Sequence, residues 1–145
     1  MPRRHFPKRP GVPGPPRGIK ILRKRKFQPT IETRSGIRVR SRYEKTCADY
    51  LFERGIEFQY EPLMLIGGRQ FRPDFFLPEL NLFLEICGYE HMPHYRTRIA
   101  QKKEIYDRNG LRALFVHYDG RGPLADCLKR ELEQFCDRCN TDENP

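Results

Sequence analysis

Two short apolar runs constrain the fold of this chain more than any other feature, because a carboxylate interrupts each of them. The first, residues 69–77 (RQFRPDFFL), carries Asp74 among Phe71, Phe75, Phe76 and Leu77. The second, residues 80–87 (LNLFLEIC), carries Glu85 between Leu82-Phe83-Leu84 and Ile86-Cys87. Their lengths, with a turn around Pro78 between them, predict two neighbouring β-strands. A carboxylate inside such a strand is costly unless it is paired or coordinates a metal. Two of them on strands joined by one tight turn fall side by side. Facing carboxylates suit a hard divalent cation, Mg²⁺ or Mn²⁺, which takes oxygen ligands and keeps waters for a phosphate substrate. The plainer alternative is a pair of acids at strand ends, where the chain exits to solvent.

The remaining elements follow from periodicity. Ser41-Arg42-Tyr43-Glu44 has the Ser-x-x-Glu spacing of a capping box, and Tyr43, Cys47, Tyr50 and Leu51 then recur at helical spacing until Gly55. Ile56, Phe58 and Tyr60 alternate with Glu57 and Gln59 as a strand with one wet face, and Gly67-Gly68 is a turn. Residues 94–109 read as a helix closed by Gly110, residues 113–118 (ALFVHY) as a buried strand, and residues 124–135 as a last helix with Leu128 and Leu132 inside. Helix, three strands, helix, strand and helix predict an α/β fold: an αβββαβ core with a mixed central sheet flanked by helices, plus a C-terminal helix.

One lysine sits where a core residue belongs. Tyr95, Ile99, Lys102 and Tyr106 fall at i, i+4, i+7 and i+11, so Lys102 lies in the apolar stripe that faces the sheet. Lys103 is turned about 100° away, toward the wetter flank. An inward ammonium beside two carboxylates can orient a hydrolytic water or stabilise charge on a phosphate. The alternative is a lysine that buries its stem and snorkels to solvent.

Charge divides the chain. Residues 1–42 hold 14 Lys/Arg against a single acid, Glu32, whereas the remaining 103 residues hold 14 against 18 acids. Pro and Gly crowd residues 1–18, a composition that cannot bury enough apolar surface to order itself. We therefore expect a basic, disordered arm over 1–36, a domain over 37–136 and a flexible tail over 137–145. The basic arm points to a polyanion, since Lys and Arg release counterions from phosphate chains. No apolar run reaches the roughly 18 residues of a membrane span. Five cysteines without an export signal fit reduced thiols and a cytoplasmic setting. Cys136 and Cys139 form one Cys-x-x-Cys, but a zinc site needs a second half, and Cys47, Cys87 and Cys127 lack that spacing.

Taken in order, Glu44 in the opening helix, Pro73-Asp74-Phe75 and Glu85 resemble the PD-(D/E)XK nuclease superfamily over roughly residues 37–118. The resemblance implies a restriction-endonuclease-like fold and a metal-dependent endonuclease acting on nucleic acid, most readily DNA. It implies metal ligation by Asp74, Glu85 and the Ile86 carbonyl, with Glu44 in support; Glu44 also has the capping role open to it. The family's lysine follows the Glu by two positions, where this chain has Cys87. Branches of the family carry that lysine on the next helix, which matches Lys102. His91, six residues after Glu85, resembles the histidine of short-patch-repair nucleases. Lys20, Arg23, Lys24, Arg25, Lys26, Arg38 and Arg40, with Arg96 and Arg98 on the second helix, would hold the nucleic-acid backbone. One such core makes one cut, so double-strand cleavage implies a homodimer. The competing expectation, which Cys87 raises, is a catalytically silent nucleic-acid-binding module on the same fold.

Overall fold

The structure, a computed structural model, describes residues 28–88 and 91–142. The chain forms β1 (Ile31–Glu32), β2 (Arg38–Val39), α1 (Arg42–Glu53), β3 (Gln59–Tyr60), β4 (Met64–Ile66), β5 (Arg69–Phe71), β6 (Phe75–Leu77), β7 (Leu82–Cys87), α2 (Pro93–Arg108), β8 (Ala113–His117) and α3 (Leu124–Asp142). Strands β3, β6, β7 and β8 make one sheet in that order. The first three run antiparallel, and β8 returns through the α2 crossover to lie parallel to β7. This is a mixed α/β fold with the expected order of principal elements.

β7 is the spine because all six of its residues are buried. Leu82, Leu84 and Ile86 enter the main core with Phe75 and Leu77 of β6, Leu114 and Val116 of β8, Leu51 of α1 and Leu128 of α3. Truncating a side chain such as Leu84, which is fully buried, would cost about 2–5 kcal/mol. Successive strand residues point to opposite faces, so Phe83, Glu85 and Cys87 turn the other way. On that face the Tyr106 ring of α2 packs against Phe83 and Phe115, and Phe76 packs against Phe83. The period-two geometry of one strand thus sends its glutamate under α2.

The structure corrects several boundaries. The expected strand over 69–77 breaks at Arg72-Pro73-Asp74, because Pro73 has no N–H to continue a ladder. Residues before the break fold back as a separate β4–β5 ribbon, and Asp74 stands at the bend where β6 begins rather than inside a strand. The ribbon turns through Gly67 and Gly68, both at positive φ (58° and 76°), as a tight two-residue hairpin requires. The expected strand over 80–87 begins only at Leu82, after a 3₁₀ turn over Pro78–Leu80. α3 runs past Phe135 to Asp142, so residues 137–142 extend that helix instead of forming a tail. β1 pairs with β2 and Thr33 is buried, so residues 31–36 pack with the domain rather than with the arm. No helix among the described residues is long and apolar enough to cross a membrane.

Candidate functional site

Asp74, Glu85, Ile86, Cys87, Tyr95, Arg98, Ile99, Lys102 and Phe115 line one recess of about 100 Å³ between the sheet and α2. Extending the β6–β7 register beyond Phe75↔Leu84 would place Pro73 opposite Ile86. The ladder stops there, and the Ile86 N–H donates instead to Asp74 Oδ2 at 2.9 Å. That bond aims one carboxylate at the strand that carries the other. Asp74 and Glu85 are therefore neighbours, as their spacing predicts, and the Ile86 carbonyl, next after Glu85 in the chain, accepts from the Tyr95 hydroxyl at 3.3 Å.

Glu85 is 3% exposed and is not unpartnered. Lys102 Nζ donates to its Oε2 at 2.7 Å, and the Tyr106 hydroxyl donates to its Oε1 at 2.6 Å. The inward stripe of α2 read from spacing is thus the element that meets the sheet, with Ile99 and Tyr106 buried on it. Lys103 is exposed, its Nζ 5.2 Å from the centre of the Phe115 ring. Burial, reinforced by the charge of Asp74, pushes the Glu85 carboxyl up to about 8 despite Lys102 and Tyr106. Burial alone would lower the Lys102 ammonium, but Glu85 and Asp74 outweigh it and hold the lysine above its usual value. Two carboxylates share the recess with Lys102 and Arg98, and a cation placed there would favour the ionised form of both acids.

Glu44 forms a second polar cluster. The Ser41 hydroxyl accepts from the Glu44 N–H, which is half of the expected capping box. The other half is displaced by one residue: Glu44 Oε2 accepts from the Arg40 N–H at 3.0 Å rather than from Ser41, and from the Tyr60 hydroxyl at 2.7 Å. Burial raises the Glu44 carboxyl, with Asp74 adding to the shift and Tyr60 opposing it. Glu44 is therefore electrostatically coupled to the recess without being one of its lining residues.

The expected nucleic-acid contacts divide. Arg98 lines the recess, while Arg38 and Arg96 are exposed elsewhere on β2 and α2. Arg40 differs from expectation, because its Nε donates to Glu61 Oε1 at 2.8 Å and so braces the Glu44 cluster. His91 is exposed before α2 and does not line the recess. Lys20, Arg23, Lys24, Arg25 and Lys26 lie outside the described residues. The tyrosines were missed as site residues. Tyr95 and Tyr106 sit on the Lys102 stripe, and a hydroxyl on an otherwise apolar helix face is the signal that points to a buried polar partner. Tyr60 gave no such signal.

No protein-family model, curated protein or solved structure matches the chain. The chemistry of the recess must be read from its own donors. No group of three His, Cys, Asp or Glu side chains among the described residues could cage a metal ion. Two carboxylates and one carbonyl are an all-oxygen set, which fits Mg²⁺, a cation bound through one or two carboxylates with waters and phosphate completing its shell. The same set is a poor fit for zinc, which prefers nitrogen and sulfur.

Proposed function

We propose that the chain is a Mg²⁺- or Mn²⁺-dependent endonuclease of the PD-(D/E)XK kind, with a restriction-endonuclease-like core, that hydrolyses phosphodiester bonds of DNA. The observation that carries this reading is the convergence of Asp74, Glu85, the Ile86 carbonyl and Lys102 in one recess open to solvent. Asp74, Glu85 and the Ile86 carbonyl would hold the cation. When bound, a divalent cation supplies Lewis-acid polarisation of a phosphoryl oxygen and acidifies water. Lys102 is held protonated by its two acidic neighbours, so it acts as a fixed charge rather than as a base. Tyr95 fixes the orientation of the Ile86 carbonyl, and Tyr106 fixes the Glu85 carboxylate. Arg98, at the wall of the recess, offers a phosphate contact next to the scissile group. Two copies would be needed to cut both strands.

The second reading, a silent nucleic-acid-binding module, draws on two observations: Lys102 already closes an ion pair with Glu85, and Cys87 leaves the family's usual lysine position uncharged. Incubating the full chain with supercoiled plasmid, with and without chelator, separates the two. We expect nicking with Mg²⁺ that chelator abolishes and that Asp74→Ala and Glu85→Ala each lose while retaining helical signal and DNA binding. Binding without any nicking would favour the silent module; near wild-type turnover in either variant would remove the metal-site assignment.

A further inference from the structure

The β4–β5 ribbon lies outside the four-stranded sheet it interrupts. Among the described residues it pairs only with itself, Met64↔Phe71, Leu65↔Gln70 and Ile66↔Arg69, and closes on Gly67-Gly68. Met64, Ile66, Arg69 and Phe71 share one face of it by strand alternation. Phe71 anchors that face to the domain, its ring 5.2 Å from the ring of Tyr106 and 5.8 Å from Lys102 Nζ. The opposite face carries Leu63, Leu65, Gln70 and Arg72. Leu65 is 72% exposed and Leu63 54%, the two most exposed large apolar side chains among the described residues. Two residues on from Arg72 stands Asp74.

We infer that this ribbon is a wedge that enters duplex DNA beside the scissile phosphate, with Leu65 inserted at a base step and Arg72, on the same face, on a flanking phosphate. The inference rests on the nuclease reading and deepens it, by naming a distorted duplex as the substrate form. Apolar side chains that enter a duplex partly unstack it and bend it, and leucine is one of the residues used this way. The charge on the ribbon suits a phosphate partner: residues 62–73 contain two arginines and no acid. A second copy of this chain fits less well, because equivalent ribbons meeting face to face would bring arginine onto arginine. The strands pair in register and Phe71 packs on Tyr106, so the ribbon presents Leu65 from a hairpin that is already formed. Its base is continuous with the recess, which ties the position of the bent step to the position of the cut.

The test is Leu65→Ser in the full chain, a change at an exposed position that leaves the core untouched. Two duplexes are compared, one fully paired and one with a single mismatched step at the cut site. The variant should lose roughly tenfold or more in kcat/KM on the paired duplex but stay within about twofold of wild type on the mismatched one, where the unstacking is already done. A 2-aminopurine placed at the step, read without divalent cation, should brighten with wild type and not with the variant. Equal rates of the two proteins on both duplexes would overturn the wedge while leaving the nuclease reading intact. An equal loss on both duplexes, together with a shift from dimer to monomer in sedimentation, would also overturn it and assign the ribbon to a second copy. A wild type that neither binds nor cuts either duplex would overturn the nuclease reading and the wedge together.

Discussion

Between pH 6 and pH 8 the affinity of the recess for Mg²⁺ should rise roughly fifty-fold, because the cation needs Glu85 ionised and burial shifts its titration upward into this range. Burial and the charge of Asp74 place the Glu85 carboxyl at about 8, against 4.5 for an ordinary glutamate. With that value the ionised fraction is roughly 1% at pH 6 and roughly half at pH 8, which sets the ratio. Lys102 is held above its usual value and stays charged across the window, so it adds no slope of its own. The sign for stability is opposite. An acid with a raised folded pKa binds more protons folded than unfolded, so metal-free protein loses stability as pH rises from about 4.5 to about 8. The slope has an upper limit of about 1.4 kcal/mol per pH unit. Saturating Mg²⁺ should flatten or reverse it. Isothermal titration calorimetry in two buffers of different ionisation heat measures both affinity and proton release, with nearly one proton expected per cation at pH 6.5. Glu85→Gln should remove the proton release and most of the affinity. A pH-independent affinity without proton release, or a slope that survives in Glu85→Gln, would refute the reasoning.

Lys102→Ala should slow cleavage by about 10²–10³, the scale of one preorganised electrostatic group, whereas Lys103→Ala should cost far less. Adding Cys87→Lys to Lys102→Ala should recover part of the rate, since Cys87 and Glu85 share a face of β7; no recovery in single-turnover kinetics would count against a transferable charge. Deleting residues 1–27, which carry ten Lys/Arg and no acid, should lower the slope of log affinity against log salt by about 0.9 for each phosphate that the arm neutralises. An unchanged slope would mean that the arm does not touch the DNA backbone. Gly88→Ala should destabilise the fold by about 1–3 kcal/mol, because a Cβ there would come within 2.5 Å of the Tyr43 ring. A melting temperature equal to wild type would show that the ring moves aside freely.

Much of the frame was legible because it depends on short-range rules. The alternation in residues 82–87 assigns Glu85 to the face opposite Leu84 whatever the strand packs against. The 3.6-residue period puts Lys102 on the stripe of Ile99 and Tyr106 and turns Lys103 aside, and the structure keeps both assignments. Ser41 begins its helix with the bond its spacing foretells, because a cap needs only the first turn. Local sequence could also mislead. Residues 69–77 look like one strand because their apolar content is continuous, yet a proline in mid-run leaves a ladder position without a donor.

Partners across elements were decided by tertiary structure alone. Nothing in Glu85 or in Lys102 says that they meet; they lie 17 residues apart and touch because α2 crosses back over the sheet to bring β8 alongside β7. The same crossover delivers the Tyr106 hydroxyl to Glu85 and the Tyr95 hydroxyl to the Ile86 carbonyl. Glu44 was legible as a cap, but its bonds to the Arg40 N–H and to Tyr60 depend on β3 running past the start of α1. The physical reason is range. Propensity, alternation and capping act over one or two turns and are written residue by residue. The raised carboxyl of Glu85 comes from water excluded by several packed elements at once, a quantity that no single stretch of the chain carries.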